Sequence, residues 1–483
     1  MFRKTYTGQA LFLLFALTFL CGSVFAQKGP KDEFEFPELN PIRMPEIKQV
    51  TLDNGLKLFL VEDHNYPTIG IRANLYSGSI YEPAEKIGLA SITGTVLRTG
   101  GTTNITGDEI DKELETIAAS IEASIGTSSA YIGGSLLKDD LDRYLELMAD
   151  ILMNPVFSQD KIELEKVGMR TGIARRNDDV GEITSREFRK LIYGSSYSYV
   201  RQTEYATIDA ITRDYIVNFH RSYFHPNNMM MAVWGDFKTE EMVEKIRKHL
   251  GSWAEKPVEL PPDPVLTRKD SYTVNYIEKT DVNQSNIMLG HLGGLMKNPD
   301  YPALIVMNNI LSWDRMFKKI RTDEGLAYSV WGHYGANHKY PGVFSAGAQT
   351  KSESTVYAIE LMLEELKKIA REEVTDEELK KAKDKYLNSF VFNFDSQSKI
   401  INRMLTYTYY DYPVDFADQT KDKVEKVGKE DVLRVAKKYL HPDQVSILVV
   451  GNKANFEKPL SSLGEVNVID ITIPPPPEED PSN

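Results

Sequence analysis

Cysteine is almost missing from this chain of 483 residues: Cys21 stands alone, within the first 26 residues. A lone thiol excludes an intrachain disulfide and a cysteine metal cage, so the fold must rest on its own core. Positive charge is also short, with 57 Lys and Arg against 70 Asp and Glu. A net charge of −13 argues against nucleic acid as a partner. Long apolar runs are lacking too, since the stretch 10–20 is too short to anchor stably across a bilayer. What remains is 41% hydrophobic and 26% charged, the composition of a globular protein.

The first 26 residues read as a cleaved signal peptide. Arg3 and Lys4 make a basic start, residues 10–20 an apolar segment, and Val24-Phe25-Ala26 a small-residue cleavage site. Export is the expectation, into the bacterial periplasm and with no stable membrane span after cleavage. A lipoprotein held through Cys21 is the alternative, against which the bulky Phe19 and Leu20 argue. Loss of Arg3 and Lys4 lowers the 57 basic residues to 55 against 70 acidic, a net charge of −15. That acidity could favour basic peptides if it lined a cavity, but a solvated surface explains it more simply.

Residues 27–48 are rich in Pro and charge and read as an extended leader. Residues 49–62, QVTLDNGLKLFLVE, carry an Asn-Gly turn between apolar runs and predict a hairpin. Helical periodicity covers 106–120, 139–153 and 158–177, with a strand at 130–136. A duplication is visible: YFHPNNMMMAVWGD at 223–236 returns as YLHPDQVSILVVGN at 439–452, 216 residues later. The segments 148–166 and 362–383 correspond at a similar offset. The Pro-rich stretch 255–269 has too many prolines for a helix or central strand and joins the halves as a linker. The expected domains are therefore 49–254 and 270–455, followed by a tail over 456–483 that is disordered at its Pro-rich end. Each domain is expected to be α+β, with helices packed on an antiparallel-rich sheet.

The segment SGSIYEPAEKIGLASITGTVLRTGGT, residues 77–102, resembles the signature region of the pitrilysin/insulinase family of zinc metallopeptidases. There the motif reads G-S-x-x-E-P-x-x-x-x-G-L-A-H-x-x-E-H, with two His on zinc and the Glu activating water. Here those positions hold Ser91, Gly94 and Thr95. The family's third ligand, a Glu on a later helix, falls at Gly172, 77 residues after Thr95. Neutral hydroxyls and glycines cannot replace imidazole and carboxylate, so this chain is expected to bind no catalytic zinc. The resemblance also implies that the duplicated α+β domains face each other as a clamshell.

The second half carries RMFKKIRTDEGLAYSV, residues 315–330, which resembles the family's other signature, I-R-x-x-x-G-L-A-Y-S-V. Arg321 and Tyr328 fall on its two functional positions. The resemblance implies that the Tyr phenol donates toward the developing oxyanion and that the Arg anchors the peptide backbone. Some members are heterodimers in which one subunit holds zinc and the other only this pair, and the chain looks like the second kind. A zinc-bearing homologous subunit and a peptide substrate are then the implied partners, with zinc in the partner and no cofactor here. A non-proteolytic scaffold or peptide-binding homologue is one alternative; an autonomous protease with displaced ligands is another. Relatives commonly place a Gly-rich loop before the Arg, but residues 308–317, NNILSWDRMF, contain no glycine. His220 and His225, like His333 and His338, stand five apart, a spacing that does not align them on one helical face. His333 and His338 read as a hairpin tip, and the aromatic run YTYYDY, 407–412, as packing against the sheet.

Overall fold

The computed structural model describes residues 45–262, 265–269 and 271–477. The expected signal peptide, Cys21, most of the expected leader and the last six residues of the tail lie outside the described residues. The first half begins with β1 (Lys48–Thr51), β2 (Lys57–Glu62) and β3 (Thr68–Leu75), then α1 (Leu89–Thr99) and α2 (Gly107–Thr116). It continues through β4 (Glu122–Ile125), β5 (Ala130–Leu137), α3 (Leu141–Met153), α4 (Gln159–Arg175) and α5 (Val180–Tyr193). It ends with α6 (Tyr205–Asp209), α7 (Arg213–Tyr223), β6 (Met229–Gly235) and α8 (Thr239–Leu250).

The second half opens with β7 (Thr273–Glu278), β8 (Gln284–Leu292), β9 (Gly294–Leu295), α9 (Tyr301–Asn309) and a π-helix (Ile310–Asp323). Then come β10 (Ala327–Tyr334), β11 (Ala336–Asn337), β12 (Val343–Lys351), α10 (Thr355–Ile369), α11 (Asp376–Phe390) and α12 (Gln397–Tyr409). The half closes with α13 (Phe416–Lys426), α14 (Lys429–Tyr439), β13 (Ser446–Gly451) and β14 (Val466–Val468). Between the halves, the described residues of 255–269 carry no helix or strand.

The duplication holds strand by strand. The first sheet runs β1-β2-β6-β3-β5-β4, and the second, read from its far edge, β14-β7-β13-β8-β12-β10. In both, a parallel pair (β2 with β6, β7 with β13) is followed by antiparallel pairs, while the outer edge differs, β1 running antiparallel to β2 and β14 parallel to β7. The expected hairpin is β1 with β2, turned at Gly55, whose φ of 82° suits an Asn-Gly turn. Two duplicated α+β domains in a clamshell are thus what the chain builds.

The central strands read as unbroken apolar runs because both of their faces are covered. On β6, Met229, Met231 and Val233 enter the core of the first half, with α1, α3 and α8. Met230 and Ala232 point the other way, onto Ile401, Met404, Leu405 and Tyr409 of α12 from the second half. The second half mirrors this. Ile447 and Val449 of β13 face its own core, while Leu448 and Val450 meet Ile183, Phe188 and Ile192 of α5 from the first half. Each half therefore lends one helix to the other's sheet.

Aromatic residues seal the seam. Tyr409 stacks on Tyr76 at 4.2 Å, and its hydroxyl donates to the Ser128 carbonyl at 2.6 Å. Tyr193 donates to the Pro341 carbonyl at 2.8 Å. The run 407–412 thus packs between the halves, and His338, in the connection of the β10–β12 hairpin as expected, is covered there by Tyr410, the rings 5.1 Å apart. His333 lies within β10.

This reciprocity sets an expectation for unfolding. Phe188→Ala and Leu405→Ala should each cost about 2–5 kcal/mol and lower a single calorimetric transition shared by both halves. Two transitions that move independently would contradict the exchanged packing.

Candidate functional site

Helix α1 holds the positions at which the family resemblance would put the metal. Its start is fixed by Gly88, at φ 110°, and by Glu82, which accepts from the Ala90 and Gly88 amides at 2.5 and 3.3 Å. Glu82 is 4% exposed, and burial pushes its carboxyl up to about 7 in spite of these amide donors. Leu89, Ala90, Ile92, Val96 and Leu97 are buried in the first core, while Ser91 is exposed and Thr95 half-buried. The spacing produces an amphipathic helix with the former ligand positions on its outer face.

Gly94 is buried and faces the edge strand β4. A Cβ there would stand 2.6 Å from the Ile125 backbone nitrogen and 3.0 Å from the Ser124 carbonyl carbon. The space that a Glu side chain would need is therefore closed by main chain. Gly172 sits on α4 with nothing within 4 Å of the Cβ it lacks. Thr95 instead approaches Glu165, two turns before Gly172 on α4, with its hydroxyl 3.5 Å from the carboxylate. Sequence reasoning missed Glu165 by weighing only position 172; a residue seven earlier lies on nearly the same helical face.

These residues do not fit a zinc ion. One carboxylate with two hydroxyls gives no set of three imidazole, thiolate or carboxylate donors, and among the described residues no three His, Cys, Asp or Glu cluster for a metal. The other histidines are engaged elsewhere. His220 is buried, bonds the Leu152 carbonyl at 3.0 Å, and is held down to about 4 by that burial; His225 bonds the Arg221 carbonyl at 2.9 Å.

Arg321 and Tyr328 are brought together in the second half. The glycine-free segment 308–317 is helical, carried by the end of α9 and the π-helix, so a helix stands where the family resemblance implied a glycine-rich loop. Arg315 anchors this helix: it is 8% exposed and pairs with Glu378 of α11 at 2.8 Å. The helix ends at Gly325, φ 66°, with the Leu326 amide donating to the Ile320 carbonyl at 3.0 Å, a Schellman-like stop. Strand β10 starts immediately after and is irregular between Ala327 and Ser329. Such a bulge re-aims a side chain, and Tyr328 is 74% exposed. The Arg321 guanidinium carbon lies 5.6 Å from the Tyr328 ring centre. The two sites are built separately: α1 rests on β4, α7 and α4, whereas the π-helix rests on β10, α10 and α9.

Comparisons with known proteins place these features in context. The model of the insulinase domain, peptidase family M16, matches residues 58–190, and that of the peptidase M16 inactive domain matches residues 210–386. The non-peptidase homolog YmxG of Helicobacter pylori is 21% identical over 432 residues, which cover 86% of this chain and 94% of that protein. The crystal structure of a peptidase M16 inactive domain from Pseudomonas fluorescens superposes with a TM-score of 0.77 at 21% identity, over 86% of this chain and 99% of that one. The periplasmic protease PqqL of Escherichia coli gives 0.71 at 15% identity, over 92% of this chain but only 50% of its own.

Closure at Gly94 can be tested directly. Gly94→Glu should lower stability by about 1–3 kcal/mol or more, as overpacking does; an unchanged Tm would contradict the closure. Glu82 generates a pH dependence. Between pH 4.5 and about 7 the folded chain keeps a proton that the unfolded chain releases, so stability falls as pH rises through that window. The loss amounts to about 3 kcal/mol, and Glu82→Gln should flatten it in a series of Tm against pH.

Proposed function

The chain belongs to the insulinase (peptidase M16) family, and on that premise we propose that it is a catalytically incomplete subunit lending Arg321 and Tyr328 to a zinc-bearing homologous partner for peptide hydrolysis. The observation that carries this reading is an asymmetry. The α1 site has lost its donors and is closed by main chain at Gly94, whereas the second half turns Tyr328 outward beside Arg321. Decay of an unused enzyme would be expected to blur both sites alike.

In the proposed complex the partner's zinc would supply the Lewis acid. The part of this chain is electrostatic and positional. The Tyr328 hydroxyl, solvent-facing, is available to donate toward an oxyanion that develops on the scissile carbonyl, a type of contact worth a few kcal/mol of barrier. Arg321 offers a planar fork of N–H donors to the peptide backbone beside it. That this chain matches half of the PqqL chain supports a two-chain assembly, since a second chain of similar size would make up the other half. The halves are assigned to 49–254 and 270–455, joined by 255–269.

Export to the periplasm is part of the same proposal. It is supported by Arg3, Lys4 and the apolar segment after them. No described helix is long and apolar enough to cross a membrane.

A second reading is a non-proteolytic scaffold or peptide-binding homologue. The helix in place of the glycine-rich loop favours it, as does the non-peptidase name of the Helicobacter relative. Kinetics in the reconstituted complex separate the two. Tyr328→Phe should lower kcat about 100-fold or more, as removal of one oxyanion donor does, with Tm unchanged because the ring is exposed. Full activity with Tyr328→Phe would leave the scaffold reading.

A further inference from the structure

Arg321 is an exposed cation on an acidic chain. Among the described residues none forms an ion pair or hydrogen bond with its guanidinium. Its neighbours are ring faces: Phe317 at 5.0 Å and Tyr328 at 5.6 Å from the guanidinium carbon. The ladder continues along the π-helix. Phe317 meets Trp313 at 5.4 Å between ring centres, and the Lys385 ammonium from α11 lies 3.8 Å over the Trp313 ring. Residues 313, 317 and 321 stand four apart, a step that keeps them in one stripe.

The two rings on the π-helix differ in what fixes them. Phe317 is half-buried and packs against the second core, so its ring is rigid. Trp313 is 50% exposed, too open to be a core residue. The backbone beneath both is pinned by the buried Arg315–Glu378 pair. Trp313, Arg315 and Phe317 all stand on the segment 308–317, where the family resemblance implied a glycine-rich loop.

A carboxylate beside Arg321 would hold it more firmly, but it would also neutralise the charge and occupy the N–H fork. A ring face attracts the cation and leaves every donor in the plane free. Ring contacts are therefore the means of holding an arginine that must still bind something else.

Resting on the reading that Arg321 engages a peptide in the partner's site, we propose that Phe317 is the positioning residue for Arg321, with Trp313 and Lys385 as its support. The ladder pre-orients the guanidinium before substrate arrives. Tyr328 then has two separable parts, a ring that borders Arg321 and a hydroxyl that faces solvent.

Nuclear magnetic resonance of the purified chain gives a readout that needs no partner. The Arg321 side-chain N–H and neighbouring methylene signals should be displaced upfield by the Phe317 ring. The displacement should fall in Phe317→Leu to the part due to the Tyr328 ring, and the Phe317 part should persist in Phe317→Tyr and Tyr328→Phe. In the reconstituted complex, Phe317→Leu should raise KM about two- to five-fold, the loss of one exposed cation–π contact, with kcat retained and Phe317→Tyr restoring it. Trp313→Ala, at an exposed position, should shift KM in the same direction without lowering Tm, which guards against a folding defect in Phe317→Leu. If Arg321→Ala impairs the complex while both Phe317→Leu and Trp313→Ala leave KM and the Arg321 signals unchanged, the positioning role is overturned and the reading of Arg321 stands. If Arg321→Ala and Tyr328→Phe are both silent in the complex, the reading itself is overturned and the positioning role with it.

Discussion

Every other feature of this structure depends on the two-sided burial of its central strands. Neither half covers both faces of its own sheet. The second face of β6 is closed by α12 and that of β13 by α5, each from the opposite half. A fully buried apolar side chain contributes about 1.5–3 kcal/mol relative to exposure, whereas an exposed ion pair contributes about 0–1 kcal/mol. Ile183, Phe188, Ile401 and Leu405 therefore outweigh the many surface pairs of Lys and Glu, including those along 376–384. The relation of the two halves is set by apolar packing, and screening by salt does little to loosen it.

That rigidity explains how α1 survives without a metal. A zinc site would tie α1 to α4 through its ligands. Here α1 is tied by other means: Glu82 at its first turn, apolar residues in the first core, and the close approach to β4 that only glycine at position 94 permits. The absent side chain is itself part of the packing. Gly172, on an open helix face, bears no such load. The two glycines are thus different in kind, one required by its neighbours and one merely tolerated.

The fold was largely legible in the sequence, because period and duplication are properties of local pattern. The hairpin at 49–62, the helices over 106–120, 139–153 and 158–177, and the repeat of the His-Pro turn with its strand all appear where pattern puts them. The site was legible only as residue types. That Ser91, Gly94 and Thr95 share a helix follows from spacing, but the closure at Gly94 depends on a strand about 30 residues later. The aromatic seam was beyond reach for the same reason, since Tyr76 and Tyr409 are 333 positions apart. The π-helix left no mark either; the lack of glycine in 308–317 set this segment apart from a glycine-rich loop without saying what stands in its place. The hairpin place of His338 was legible, but its cover was not, because Tyr410 and Tyr412 lie in a different run.

The duplication offers an internal comparison that no single domain could give. Strands β4 and β10 occupy the same place, the far edge of equivalent sheets, and each is backed by a helical segment at the corresponding point of its half. In the first half the helix contributes the glycine, and main chain meets main chain at Ile125. In the second half the strand contributes it: Gly332 faces Leu311 of the π-helix, where a Cβ would be 3.2 Å from Leu311 Cγ. Contact there falls on side chains, and the irregularity at the start of β10 leaves Tyr328 pointing away. One architecture has therefore produced a closed wall in one copy and an outward-facing Arg and Tyr in the other. Since the sheet frame is common to both, the difference arises from a few residues at the helix–strand contact.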